Sequence, residues 1–442
     1  MSGGSGAPRR GDLLELDVED LTHDGQGVAR HQGKVVFVDG ALPGERVQAR
    51  LRRRRRQFDQ ADLLTVLRAS PDRVEPRCAH FGVCGGCCLQ HLRPEAQRAA
   101  KERQLAEVLQ RIGGVAPERW LAPLEGDIWA YRAKARLGVR YVPGKGRTLV
   151  GFRERGRPYI TDTRRCEVLV EPLGGLVGAL AELIDGLSIR DRLPQIEVAQ
   201  GDGTTALVFR VLEPPAMPDR ARLVEFARRH GLVVYLQPGG ADSLQPLWPE
   251  SPPELAYRLP NWDVSIHFSP LDFTQVNPSV NRRMVAQALD LLEPAPGETV
   301  LDLFCGLGNF SLPAARLGAR VIGIEGEAGM VERARANAAR HGLEAAFYTA
   351  DLFEPPPTPF WWGEGRSIDK VLLDPPRSGA ETVCGWLPRL GAKRIVYVSC
   401  NPATLARDAR KLVEGGYRLE AAGLLNMFPH TAHSEAMALF SR

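Results

Sequence analysis

Residues 299–315 read TVLDLFCGLGNFSLPAA, and this stretch decides the fold. Thr299 to Leu303 is a short apolar run of the kind that forms a buried parallel strand. Gly306 and Gly308 follow, and a helix opens after them. Strand, glycine turn and helix begin an open α/β sheet, whose ligands sit at the carboxyl ends of its strands. A dinucleotide fingerprint would need a third glycine at position 311. Ser311 stands there, which disfavours NAD.

The same rhythm repeats downstream. RVIGIEG (320–326) ends a second strand at Glu325, where a carboxylate can take both ribose hydroxyls. FYTAD (347–351) puts Asp351 at a third strand end, suited to an adenine amino group, and KVLLDPPRSG (370–379) puts Asp374 after a fourth. With Asp302 these make four acids at successive strand ends. They describe a crevice for a ligand with ribose, adenine and a cationic head, which is S-adenosylmethionine. A fifth strand, RIVYVSCNP (394–402), stops at Cys400. A cysteine on that rim stands beside the sulfonium and is the candidate nucleophile. Cys305, in the glycine loop, and Cys384, in a helix, are its rivals.

Working toward the N-terminus, the 442 residues are too many for one core, and 44% hydrophobic with 25% charged content describes a globular protein. No apolar run reaches membrane-spanning length and the Ser/Gly-rich start lacks a signal-peptide core, so the expected setting is cytoplasmic, with no membrane partner. Residues 1–10 read as a disordered tail. Residues 11–71 carry short alternating runs separated by glycine-rich turns, the pattern of a small OB-like β-barrel of about five strands, a common nucleic-acid binding platform. Residues 72–268 form a central α+β domain, with a helix from Pro94 to about Ile112 striped by Leu105, Val108, Leu109 and Ile112. Residues 269–442 form the Rossmann-like α/β domain.

Charge is concentrated rather than large. The net charge is +4, yet Arg46 to Arg56 holds seven arginines, and residues 131–165 hold eleven Lys/Arg against two acids. Tyr131, Tyr141, Phe152 and Tyr159 are interleaved with the second stretch. One-signed basic stretches with aromatics imply a polyanion, with arginines on phosphates and rings free for base stacking. CAHFGVCGGCCLQH (78–91) gives three thiols at Cys78, Cys84 and Cys87, with Cys166 the best candidate for a fourth. Three ligands in one hook plus one remote suit a [4Fe-4S] cluster better than the paired hooks of structural zinc. Cys88 reads as a bystander that could substitute for Cys87.

FTQVNPSVN, DLFCGLGNF, LLDPPRSG, VYVSCNPATLARD and MFPHTAHSEAM together resemble the RNA uracil-5-methyltransferase family over nearly the whole chain. The barrel resembles a TRAM domain and the cysteine hook resembles the family's [4Fe-4S] site, a combination found in the branch acting on 23S ribosomal RNA. The resemblance implies cofactor contacts from Gln275, Phe304, Asn309, Glu325, Asp351 and Asp374. It implies Cys400 as nucleophile and Glu435 as the base, with His430 and His433 as neighbouring alternatives. Further implications are a monomer acting on a structured or single-stranded rRNA loop, and a helix after the hook that packs on the catalytic domain. Two other readings stand beside this one: an RNA-binding or redox-sensing protein with an inert catalytic half, and methylation of a tRNA uracil. Cytosine-5 methylation is disfavoured, because its nucleophile commonly follows a proline rather than standing in Ser-Cys-Asn-Pro.

Overall fold

The structure, a computed structural model, describes residues 8–354 and 367–442. Residues 1–7 of the expected tail lie outside that range. Two compact units emerge, each discontinuous in sequence. One contains the chain up to Gln104 together with Arg153–Pro158 and Phe428–His433; the other contains Leu105–Phe152, Tyr159–Met427 and Ser434–Arg442.

The first unit carries a closed five-stranded barrel. Its strands are β1 (Leu13–Leu21), β2 (Gln26–His31), β3 (Lys34–Asp39), β4 (Arg46–Arg54) and β5 (Phe58–Arg68), in the order β1-β2-β3-β5-β4. Period-two alternation closes it. Leu14, Leu16 and Val18 of β1 meet Val36, Val38, Val47, Ala49, Leu51 and Ala61 inside, while Glu15, Asp17, Arg46 and Arg50 are exposed on the alternate positions. The arginine run begins on the outward face of β4 and continues past its end. The cysteine hook follows the barrel and is tied to a distant segment by short backbone bonds. Gly85 N–H donates to Arg153 O at 2.8 Å and Arg155 N–H to Val83 O at 2.8 Å. A Cβ at Gly85 would lie 2.9 Å from that Arg153 oxygen, so only glycine allows the approach.

Helix α1 (Pro94–Val108) leads from the hook into the second unit. It ends in a wider π turn over Leu109–Gly113, which displaces the expected stripe. Leu105 and Leu109 are fully buried, whereas Ile112 is carried out to 40% exposure. After the short β6 (Arg119–Trp120), six strands form one sheet: β7 (Lys134–Val142), β8 (Arg147–Gly151), β9 (Gln195–Gln200), β10 (Thr205–Arg210), β11 (Val233–Gln237) and β12 (Gln245–Trp248), ordered β12-β11-β10-β9-β7-β8. Helices α2 (Leu173–Asp185) and α3 (Met217–His230) pack on it. The hairpin β13 (Leu255–Leu259) and β14 (Val264–Phe268) then leads into α4 (Pro278–Leu292).

The second sheet of this unit carries the chemistry. Strands β15 (Thr299–Leu303), β16 (Arg320–Glu325), β17 (Ala345–Thr349), β18 (Lys370–Leu373) and β19 (Arg394–Ser399) run parallel. The helices between and after them are α5 (Ser311–Arg316), α6 (Ala328–Arg340), α7 (Glu381–Trp386) and α8 (Pro402–Glu414). Two antiparallel strands, β20 (Arg418–Leu425) and β21 (Glu435–Ser441), extend the sheet to the order β17-β16-β15-β18-β19-β21-β20-β6. Strand order reverses at β15, between β16 and β18, which is where such sheets open a ligand crevice. Its core includes Leu105 and Leu109 with Leu301, Tyr397, Leu405 and Phe440. The end of the helix that follows the hook is therefore part of the catalytic core.

Leu105→Ala should lower the stability of the second unit by about 2–5 kcal/mol, the usual cost of truncating a buried leucine. Denaturant unfolding followed by the core tyrosines checks this; an unchanged midpoint would mean that Leu105 does not belong to that core.

Candidate active site

A cavity of about 630 Å³ opens at the carboxyl ends of the parallel strands. Gln275, Phe304, Asn309, Glu325, Asp351, Asp374, Cys400 and Glu435 all line it. The glycine loop forms one wall. Phe304 sits at φ 64°, Gly306 at 55° and Gly308 at 91°, three left-handed residues that turn the backbone sharply after β15. Glu325 holds this loop by its backbone: its Oε2 accepts from Gly306 N–H at 3.1 Å, and its Oε1 from Gly326 N–H at 2.7 Å. Asn309 pairs reciprocally with Asn281 (2.9 and 3.2 Å) and accepts from Tyr257 O–H at 2.9 Å. Asp351 Oδ1 accepts from Phe353 N–H at 2.8 Å, and the Phe353 ring stands 5.8 Å from that of Phe304.

Asp302 departs from the expected series of acids. It is buried in β15 and does not line the cavity; its Oδ2 accepts from the hydroxyl of buried Ser311. The residue that breaks the dinucleotide fingerprint therefore anchors the first turn of α5 to the strand. Burial raises the Asp302 carboxyl to about 7, with Glu325 adding to the rise and the Ser311 bond opposing it. Asp374 is likewise pushed up to about 7, by burial first and then by Asp302 and Glu325. Burial and the mutual repulsion of these acids favour their neutral forms, a balance that a nearby positive charge would reverse.

Cys400 and Glu435 are brought together by strand pairing. Antiparallel β19 and β21 run in register to the pair Ser399–Ala436. The next position on one strand is Cys400 and on the other Glu435, so the ladder itself sets thiol and carboxylate side by side. The turn after Cys400 is fixed: Asn401 caps α8 through its Oδ1, which accepts from Ala403 N–H at 3.1 Å, while its amide donates to Arg377 O at 3.0 Å. That second bond ties the Asp374-Pro375-Pro376 loop to the cysteine loop. Burial, followed by the charges of Glu435 and Asp374, pushes the Cys400 thiol up to about 11, against the opposing pull of Arg377. Cys305 also lines the cavity but is buried, and that burial raises its thiol, while Cys384 lies wholly in the core. His430 and His433 belong to the first unit and do not line the cavity.

Sequence reasoning missed Tyr257, Phe273 and Arg377 as cavity residues. Arg377 was readable, since it directly follows the Asp-Pro-Pro loop; Tyr257 comes from a hairpin with no motif to mark it. The expected stacking aromatics fare less well. Tyr131 is buried, Tyr141 is covered by the Arg190 guanidinium at 4.3 Å and Phe152 has Arg132 at 5.5 Å; only Tyr159, 62% exposed, offers an open face. Part of the basic stretch is neutralised too. Arg136 pairs at 2.9 Å with Glu197, an acid from β9 that is remote in sequence.

In the hook, Cys78, Cys84 and Cys87 are half-buried, and Cys166 is buried in the second unit. Their soft thiols suit iron, and Gly85 and Gly86 allow a tight wrap. Among the described residues, however, no three His, Cys, Asp or Glu side chains stand grouped as a metal site.

The parallel sheet, glycine loop and acidic cavity define a methyltransferase domain using S-adenosylmethionine, and residues 294–407 match a methyltransferase domain family. Residues 9–64 match the TRAM domain family. The chain is similar over 97% of its length to the 23S rRNA (uracil(1939)-C(5))-methyltransferase RlmD of Alkalilimnicola ehrlichii (54% identical, 96% of that protein). It is similar over 99% to that of Methylococcus capsulatus (52% identical, 99% of that protein). A crystal structure of the Pyrococcus abyssi tRNA (uracil-54, C5)-methyltransferase with S-adenosyl-L-homocysteine superposes with a TM-score of 0.73, at 25% identity, covering 97% of this chain and all (100%) of that one. The chain belongs to the RlmD family of 23S rRNA (uracil-C5)-methyltransferases.

A thiol held near 11 is protonated at neutral pH. Alkylation of Cys400 by iodoacetamide in the ligand-free protein should therefore be slow, and should rise about tenfold per unit between about pH 7 and 10. Glu435→Gln removes a neighbouring negative charge and should speed alkylation at fixed pH. Fast, pH-independent labelling of Cys400 would contradict this electrostatic picture.

Proposed function

We propose that this protein transfers a methyl group from S-adenosylmethionine to carbon 5 of a uracil in 23S ribosomal RNA. The single observation that carries the reading is the thiol–carboxylate pair, set by the β19–β21 register, on the wall of an acidic cavity. Carbon 5 of uracil is too weak a nucleophile to take a methyl unaided. Addition of the Cys400 thiolate to carbon 6 makes the ring an enolate, whose carbon 5 attacks the sulfonium methyl. The thiol must first give its proton to solvent water, a loss that the positive charge of the bound sulfonium would favour. Glu435 then removes the hydrogen from carbon 5, and elimination across the carbon 5–carbon 6 bond frees Cys400.

Gln275, Phe304, Asn309, Glu325, Asp351 and Asp374 hold the cofactor, with ribose on Glu325, adenine toward Asp351 and the cationic end toward Asp374. RNA approaches the first unit through the arginines of β4 and of the turn that follows it. Arg52 is paired with Asp39 and Asp62 at 3.0 Å each, whereas Arg53, Arg55 and Arg56 have no ion-pair partner among the described residues. The target is one uracil in a structured or single-stranded rRNA loop, reached by a cytoplasmic monomer. Among the described residues no helix is long and apolar enough to cross a membrane.

Cys78, Cys84 and Cys87, with Cys166 as the fourth thiolate, would hold a [4Fe-4S] cluster. The donor chemistry and the hook spacing support this; the cluster would supply a structural crosslink. Anaerobically purified protein should carry about four irons per chain, and one zinc instead would overturn the assignment.

Incubated with unmodified 23S rRNA and methyl-labelled S-adenosylmethionine, the protein should form 5-methyluridine. Cys400→Ala should bind cofactor normally and form none. Glu435→Gln should transfer the methyl but stall, leaving labelled protein covalently on RNA after denaturation. Methylation of tRNA in place of 23S rRNA, or a Cys400→Ala protein that still turns over, would sink the reading. Replacing Arg52 to Arg56 by alanine should weaken RNA binding and flatten its salt dependence by about 0.7–0.9 log unit for each phosphate no longer neutralised. Cofactor affinity should stay constant.

A further inference from the structure

Glu435 is the first residue of β21, and the loop that delivers it does not belong to the unit in which it ends. Phe428–His433, which together with its flanking residues joins β20 to β21, packs within the first unit, against the segment that follows the cysteine hook. We propose that Cys88 and Gln97 are positioning residues for the carboxylate at 435, acting through this segment rather than through iron. The inference rests on the reading of Glu435 as the base.

The hydrogen bonds carry it. Cys88 N–H and Leu89 N–H both donate to His430 O, at 3.0 and 2.9 Å. In return Ala432 N–H donates to Cys88 Sγ at 3.2 Å. Gln97, buried at 2% exposure, accepts from His430 N–H at 2.8 Å. Its amide nitrogen lies 3.3 Å from His430 Nδ1 and also donates to the carbonyls of Leu89 (3.0 Å) and Leu92 (2.6 Å). Lys101 Nζ closes the far end on Phe428 O at 2.9 Å.

His430 is held at φ 64°, a left-handed conformation that a non-glycine residue keeps only where its surroundings over-determine it. The clamp on its N–H, carbonyl and ring supplies that constraint. Three residues beyond the Cys88–Ala432 bond the chain enters β21 as Glu435. An error in the loop is thus passed directly to the residue that must reach carbon 5.

Cys88 directly follows Cys87, so a rival assignment makes it an iron ligand. Its sulfur as acceptor for Ala432 N–H gives it a different task, one that a serine oxygen can share and an alanine cannot. Cys88→Ala should slow elimination more than methyl transfer. Turnover on rRNA should fall about tenfold, the scale of one lost hydrogen bond. The denaturation-resistant labelled RNA adduct should accumulate, while the KM for S-adenosylmethionine and the iron content match wild type.

Cys88→Ser should restore turnover and clear the adduct, and Gln97→Leu should reproduce the alanine defect. Wild-type turnover of Cys88→Ala without adduct would overturn the proposal, as would loss of iron in both Cys88 variants. If Glu435→Gln itself yields no adduct, the base assignment falls and the proposal falls with it. If Glu435→Gln traps RNA and Cys88→Ala does not, the positioning role alone is wrong.

Discussion

The antiparallel pairing of β19 with β21 is the constraint on which the rest of the site depends. In a wholly parallel sheet the strand after β19 would present its own carboxyl end at the crevice, and its amino end would lie at the opposite edge. Reversal of β21 brings an amino end to the crevice instead, and with it Glu435, one register step beyond the Ser399–Ala436 pair. The proposed nucleophile, ending one strand, and the proposed base, beginning its neighbour, thereby become adjacent without any long side chain having to search for its partner. The helix cap at Asn401 and its bond to Arg377 O fix the turn on the cysteine side. On the carboxylate side the chain is held by the clamp on Phe428–His433.

Burial then sets the charge state. Desolvation and the neighbouring carboxylates favour protonated Cys400 and a partly protonated Asp374 before any cation binds. A cation entering such a cavity reverses the balance, since it stabilises ionised carboxylates and thiolate alike. In the ligand-free protein the Cys400 thiol is therefore the favoured form at neutral pH.

Much of this was legible in the sequence, because the motifs lie at strand ends, where spacing and chemistry coincide. The glycine loop and the acids Glu325, Asp351 and Asp374 each occupy a strand-to-loop transition, and all line the one cavity. Alternating apolar residues announced the barrel as well. Where the reading missed, long-range partners were responsible. Asp302 shares the pattern of the other acids, but its partner Ser311 keeps it out of the crevice. Tyr131, Tyr141 and Phe152 looked free to stack because the core, Arg190 and Arg132 cannot be seen from the local sequence. Ile112 kept the helical stripe on paper, yet a wider turn carried it to the surface. Grouping of the cysteines as a metal centre is the feature for which pattern runs ahead of geometry.

The most direct test of the account is the covalent bond itself. Rebuilt with 5-fluorouracil at the target site, rRNA cannot release its carbon 5 substituent, so the wild-type protein should remain attached after one methyl transfer. Tandem mass spectrometry of the digested complex should then find a methylated fluorouridine nucleotide on the peptide containing Cys400. The same nucleotide on Cys305 or on any other residue, or no crosslinked peptide at all, would contradict the role assigned to the strand-paired thiol and carboxylate.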